Sequence, residues 1–218
     1  MPLRRAEIVE AALALADERG LDAVSMRTVA ERVGVTPMAL YPHVGGKAAL
    51  LDAMLDWMLG QLNADPGGPG GGPPPGTSWQ QLMRELAHAA RAVVIAHPWA
   101  ATLVFSRPAV SEGSVRTVDL LYSALLDAGV AERDVPRVER LLSTVVIGFA
   151  ASEALGRFTS ADPDVRALRG MLKDGPLPGF ARLRDVLSCP VDFEAEFDAD
   201  LDDLEVLVEA IAGRGNAG

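Results

Sequence analysis

Cysteine is nearly absent from this sequence: Cys189 is the only one in 218 residues. It permits no internal disulfide and no cysteine-built zinc site. Cys189 lies beside Pro190, with no histidine or basic cluster near it in sequence, which favours an incidental thiol over a reactive one. Histidine is almost as scarce. His88 and His97 stand nine residues apart, His43 is remote from both, and no metal-ligand spacing results. No uncharged apolar run is long enough to span a bilayer, and the first residues lack the apolar stretch of a secretory signal. A cytoplasmic protein without membrane contact is expected. Catalytic material is missing too. There is no paired histidine and carboxylate, and the glycines between 67 and 72 follow no strand and are interrupted by proline, so they are no nucleotide loop. An enzyme is not expected, and no cofactor is implied.

The charge that is present is unevenly placed. The formal total is -10, which taken whole argues against a nucleic-acid partner. From residue 1 to 50, however, Arg4, Arg5, Arg19, Arg27, Arg32 and Lys47 balance Glu7, Glu10, Asp17, Glu18, Asp22 and Glu31. From 185 to 218 there are ten acids and only Arg214 as a base, a local balance of -9. The acidity is concentrated at one end, and the other is free to approach a polyanion.

Apolar spacing reads as helix throughout, so the expected class is all-α. Ile8, Ala12 and Leu15 repeat at helical spacing between Pro2 and Gly20. Ser25 is a natural cap for a second helix over 26–33, closed by Gly34. Thr36 can cap a third over 37–43, with Pro37 at the first position, where a missing N–H costs nothing. A fourth is expected over 47–62, followed by "DPGGPGGGPPPG", residues 65 to 76, which suits a linker and no regular structure. Further helices are expected from Ser78 to about Ala96, up to Gly129, from Asp134 to about Phe158, and after Asp192.

The pair 26–33 and 37–43, joined through Gly34, Val35 and Thr36, matches a helix-turn-helix, whose second helix enters the major groove of DNA. An ordinary bundle of short helices with a glycine turn fits the same pattern. Pro42 removes the hydrogen bond to the Met38 carbonyl, so the helix is expected to loosen or end there. Lys47 then falls in the first turn of the next helix, a position suited to holding a phosphate.

The stretch "IVEAALALADERGLDAVSMRTVAERVGVTPMALYPHVGGKAALLDAML" resembles the DNA-binding domain of the tetracycline-repressor (TetR) family of bacterial regulators, over residues 4 to 62. Several fixed offsets agree together, among them "S.R.VA..VGV" and "LY.HV..K..LL". "RELAHAARAVVIAHPWAATLVFSRP" looks, more loosely, like the ligand-binding domain of actinobacterial members. Pro42 departs from the family, which often has an aromatic residue or arginine there. The resemblance implies a repressor that binds a palindromic double-stranded operator as a homodimer and is released by a small, largely apolar effector. It implies a helix-turn-helix domain over 1–46, a connecting helix over 47–63 and a Gly/Pro-rich linker over 64–77. A ligand-binding and dimerisation domain would follow over 78–213, with a disordered tail over 214–218. A helical small-molecule-binding protein that no longer reads DNA is the alternative.

By position, the resemblance assigns Arg27, Thr28, Tyr41, His43 and Lys47 to phosphate contact or base reading. The exposed face of the third helix would add Thr36, Pro37, Met38 and Ala39, side chains with little hydrogen-bonding capacity. Apolar contact with thymine methyl groups is therefore expected of them. In the larger domain, Met83, Trp99, Phe105 and Phe149 could wall a ligand pocket or simply be core. Glu153 continues the stripe of Leu142, Val145 and Phe149, either as a polar anchor in that pocket or where the stripe has turned to solvent. Phe193, Phe197, Leu201, Leu204, Val208 and Ile211 keep helical rhythm against an acidic opposite face. With Leu142 and Val146 of the long preceding helix, they are the residues expected at a two-fold dimer interface, as the resemblance implies.

Overall fold

The computed structural model describes residues 4–62, 74, 76–157, 178–183, 185–186 and 189–215. The ordered elements among them are helices, as the periodicity required. In order they are α1 (Arg5–Arg19), a 3-10 turn (Leu21–Ala23), α2 (Met26–Val33), α3 (Pro37–Val44) and α4 (Lys47–Leu62). Then follow α5 (Trp79–Ala96), α6 (Ala100–Ser106), α7 (Glu112–Asp127), α8 (Val135–Ala154), α9 (Pro178–Leu183) and α10 (Phe193–Gly215). The 3-10 turn and α6 have too few residues to show a period of their own. Most of the linker expected over 64–77, and Phe158 at the expected end of the eighth helix, fall outside the described residues.

Local chemistry sets most of the boundaries. Ser25 Oγ accepts the Thr28 amide at 3.1 Å, Ser78 Oγ the Gln81 amide at 3.2 Å, and Asp192 Oδ1 the Ala195 amide at 3.1 Å. Each satisfies an N-terminal N–H that has no partner inside its helix. Thr36 and Asp134 occupy cap positions without making such a bond. At the other ends, Gly34 (φ 75°) and Gly45 (φ 71°) take the left-handed conformation that a side chain would strain.

Helices α1 to α3 enclose a small core of Ile8, Val24, Val29 and Leu40, all fully buried. Helix α4 closes that core with Leu50 and Met54 and continues into the larger domain, where it packs on α5 and α7. There α5 lies along α8 and α7, and α10 covers α8 from outside. The buried apolar side chains form one continuous cluster from Ile8 to Ala212, so the two halves share a core through α4.

Candidate DNA-binding face and effector cavity

The turn between α2 and α3 has a physical cause. Gly34 in the left-handed region lets the Val35 amide donate back to the Ala30 carbonyl at 3.0 Å, which ends α2 and redirects the chain. Helix α3 is anchored by Leu40 and Val44, both buried, and everything between them faces outward. Thr36, Pro37, Met38, Ala39, Tyr41 and His43 are all exposed and share this outer surface. Met38 is 74% exposed and Tyr41 45%, so neither is explained as core. Helix α3 does not end at Pro42, as expected, but runs on to Val44, where the Gly45 amide donates to the Tyr41 carbonyl at 2.8 Å. The proline ring suits helical φ and deletes a single hydrogen bond, which the buried Val44 outweighs. Lys47 opens α4, exposed and in no ion pair among the described residues.

Arg27 and Thr28 behave differently from each other. The Arg27 side chain is 82% exposed, and its Nε donates to Glu31 Oε1 at 2.9 Å. That bond holds the guanidinium proton more firmly than usual. The Thr28 hydroxyl donates to the Ala23 carbonyl at 2.7 Å and accepts the Ser25 amide at 3.0 Å. Its proton is committed to fixing the start of α2.

The larger domain holds a cavity of about 610 Å³ between α4, α5, α7, α8 and α10, open on one side, with another side formed by the segment from α6 into α7. The walls are mainly aliphatic, including Leu55, Met58, Leu86, Val94 and Leu121. Its size and lining are those of a site for a drug-sized, mostly apolar molecule. Of the residues expected in a pocket, Met83 and Phe105 line it.

Trp99, Phe149 and Glu153 do not, and each has a different reason. Trp99 is buried at the junction of the domains, where its Nε1 donates to Asp17 Oδ1 at 2.6 Å. Phe149 packs against Phe193 and Phe197, with ring centroids 6.3 and 5.1 Å away. Glu153 faces neither pocket nor solvent. Both its oxygens accept from Arg91 Nε and Nη2 at 2.8 Å, in a two-pronged pair. Arg91 also donates to Glu194 at 3.0 Å and lies 5.1 Å from the centroid of the Phe197 ring. The hydrogen bonds Arg91 donates to Glu153 foremost, and to Glu194, raise the affinity of its guanidinium for its proton well above the usual.

The residues expected at a dimer interface also need correction. Leu142, Val146, Phe197, Leu201, Leu204, Val208 and Ile211 are all buried within the single chain, and Phe193 is half-buried against Phe149. Leu142, Val146, Leu201 and Leu204 even line the cavity. The apolar stripe of α10 covers its own subunit. The surface α8 and α10 leave open is a different one: Leu141 (37% exposed), Val145 and Gly148 on α8, and Ala199, Val206 (65% exposed) and Ala210 on α10.

Polar groups facing the cavity were missed in the sequence, though one was signalled there. Glu139 precedes Leu142 and Val146 at helical spacing, so it continued the same stripe whose other flank drew attention to Glu153. Nothing in the sequence points to Arg107, which faces the cavity and also grips α4. Its guanidinium donates to Asp52 Oδ1 at 2.7 Å and to the Ala48 carbonyl at 2.9 Å. A second tie joins the domains at Asp17, which meets Trp99 Nε1 and, at 2.7 Å, His97 Nδ1, while Trp57 packs edge-on against the His97 ring.

Residues 8–54 match the N-terminal domain of bacterial regulatory proteins of the tetR family, and residues 72–204 match the tetracyclin repressor-like C-terminal domain. An HTH-type transcriptional regulator of Saccharopolyspora erythraea is 32% identical over 71% of this chain, which spans 63% of that protein's length. The HTH-type transcriptional repressor DrrR1 of Streptomyces coeruleorubidus is 30% identical over 92% of this chain and 77% of its own. Among solved structures, the Streptomyces coelicolor TetR family protein ActR in complex with actinorhodin superposes with a TM-score of 0.80 at 26% identity, covering 98% of this chain and 100% of that one. Two domain matches in series, a helix-turn-helix with an open second helix and a mainly apolar cavity behind it make this chain a member of the tetracycline-repressor family of bacterial regulatory proteins.

Proposed function

We propose that this protein is a transcriptional repressor that holds a palindromic operator as a homodimer and leaves it when a small, largely apolar molecule fills the cavity. The observation that carries the DNA half is the α3 surface, where Met38 and Tyr41 are exposed beside Lys47 while Leu40 and Val44 fix the helix from behind. Tyr41, His43 and Lys47 serve as phosphate contacts and set the register of α3 in the groove. Thr36, Pro37, Met38 and Ala39 meet base edges, and Arg27 supplies polar reading once it turns from Glu31. The two-fold partner seats on the open faces of α8 and α10, around Val145, Gly148, Val206 and Ala210. Release runs through Arg107: a molecule that displaces this cavity residue loosens its hold on Asp52 and Ala48, in the first turns of α4 behind Lys47. That ActR was crystallised with actinorhodin supports an occupied cavity in proteins of this build.

The test is titration of the full chain with duplex DNA from beside its own gene and with a shuffled duplex, followed by fluorescence anisotropy across a salt series. Preference for the native duplex that survives at raised salt is expected. Equal, weak binding to both would leave a helical small-molecule-binding protein without specific DNA recognition.

A further inference from the structure

Most polar side chains that face the cavity already have partners within the chain. Arg107 is held by Asp52, and Thr117 donates to the Leu59 carbonyl at 3.1 Å. Ser143 and Thr144 each donate to the Arg140 carbonyl, at 3.3 and 2.6 Å. Two half-buried groups have none among the described residues: the carboxylate of Glu139 and the phenol of Tyr122. Tyr122 lies near the end of α7 and Glu139 near the start of α8, and the connection over 128–134 folds the two helix ends together. A carboxylate and a phenol therefore line the end of the cavity where α7 turns into α8, between walls that are otherwise mainly aliphatic.

The chemistry of that end is specific. A carboxylate only accepts hydrogen bonds, and removing it from water without a donor or a counter-charge is costly. Any molecule that fills the cavity strips water from Glu139 and must replace it. We propose that the effector is an amphiphilic amine: an apolar, ring-built body lying against Leu86, Val94 and Leu121, with a protonated nitrogen that donates to Glu139 and a neighbouring oxygen within reach of Tyr122. Arg140 also reaches the cavity rim, but its side chain is exposed and keeps its water whether or not the cavity is filled. An anionic effector would gain Arg140 in solvent and meet Glu139 at close range. This inference rests on reading the cavity as the effector site.

The experiment uses three fluorescent molecules of one shape: 9-aminomethylanthracene, 9-anthracenemethanol and 9-anthracenecarboxylate, titrated against the full chain. The amine is expected to bind roughly tenfold more tightly than the alcohol, as one charge-assisted hydrogen bond supplies, and the carboxylate most weakly. Glu139→Gln, on a half-exposed helical face where folding is not at stake, is expected to bring the amine down to the alcohol. Leu121→Trp, which fills the cavity, is expected to weaken all three, with circular dichroism confirming the helices. A carboxylate that binds as well as the amine, or an amine preference that survives Glu139→Gln, overturns the assignment of charge and leaves the cavity reading standing. Binding that survives Leu121→Trp, or no binding of any of the three, takes away the cavity as the site and the amine with it.

Discussion

With α3 in the major groove, as proposed, its side chains decide what kind of DNA sequence this protein can prefer. Met38, Ala39 and Pro37 offer no hydrogen-bonding group to a base, so the two-pronged contacts worth roughly 1–3 kcal/mol each are closed to them. Thymine methyl groups are what these side chains can detect. Replacing half-site thymines one at a time with uracil, which removes only the methyl, is expected to weaken operator binding at one or more positions. An operator indifferent to every replacement would remove the apolar-readout proposal. The role proposed for Lys47 is different, that of a point charge near phosphate. Lys47→Ala should weaken specific and shuffled duplexes alike and reduce the slope of log affinity against log salt by about one. A loss confined to the specific duplex would mean that Lys47 reads bases. Glu31 is the unfavourable charge on this surface, since it holds Arg27 and would face phosphate itself. Glu31→Gln should tighten binding a few-fold at low salt, with the gain fading as salt screens it. An unchanged or weaker affinity at low salt would show that Glu31 is remote from the DNA.

Whole helices were the most legible level of this sequence, and their partners the least. Ser25, Ser78 and Asp192 announced their helices because a cap is a bond between near neighbours. The stripe from Phe197 to Ile211 announced that α10 must cover something, but periodicity is the same whether the covered surface belongs to the same chain or to a copy. Only the fold shows that the stripe lies against its own subunit. Trp99 was unreadable for a related reason: its partner Asp17 is 82 positions away, and nothing local links them. Arg91 and Glu153, 62 positions apart, form the clearest ion pair inside the larger domain, with side chains 10% and 16% exposed. Glu153→Ala should cost about 3–5 kcal/mol in urea unfolding, the usual cost of stranding a buried charge. Arg91→Met with Glu153→Leu should recover most of that loss, since the pair was expensive to desolvate. A cost near zero for the single change would mean that Glu194 and water suffice for Arg91.

At the scale of the molecule, two leucine-like positions on α10 should part company. Leu204 is 8% exposed inside the subunit, so Leu204→Asp should unfold the chain or cost it roughly 3–5 kcal/mol. Val206, on the open face, should tolerate aspartate within the subunit, and Val206→Asp should sediment as a folded monomer at concentrations where the parent chain forms the proposed dimer. A dimeric Val206→Asp protein would move the two-fold axis elsewhere. Arg107 has a consequence of another kind. One guanidinium touches both the cavity and the base of α4; on the release proposed for it, whatever the effector subtracts from the operator's affinity, the operator must subtract from the effector's, by the same factor. On that reading, a molecule of this protein standing on DNA takes up the effector less readily than a free one does.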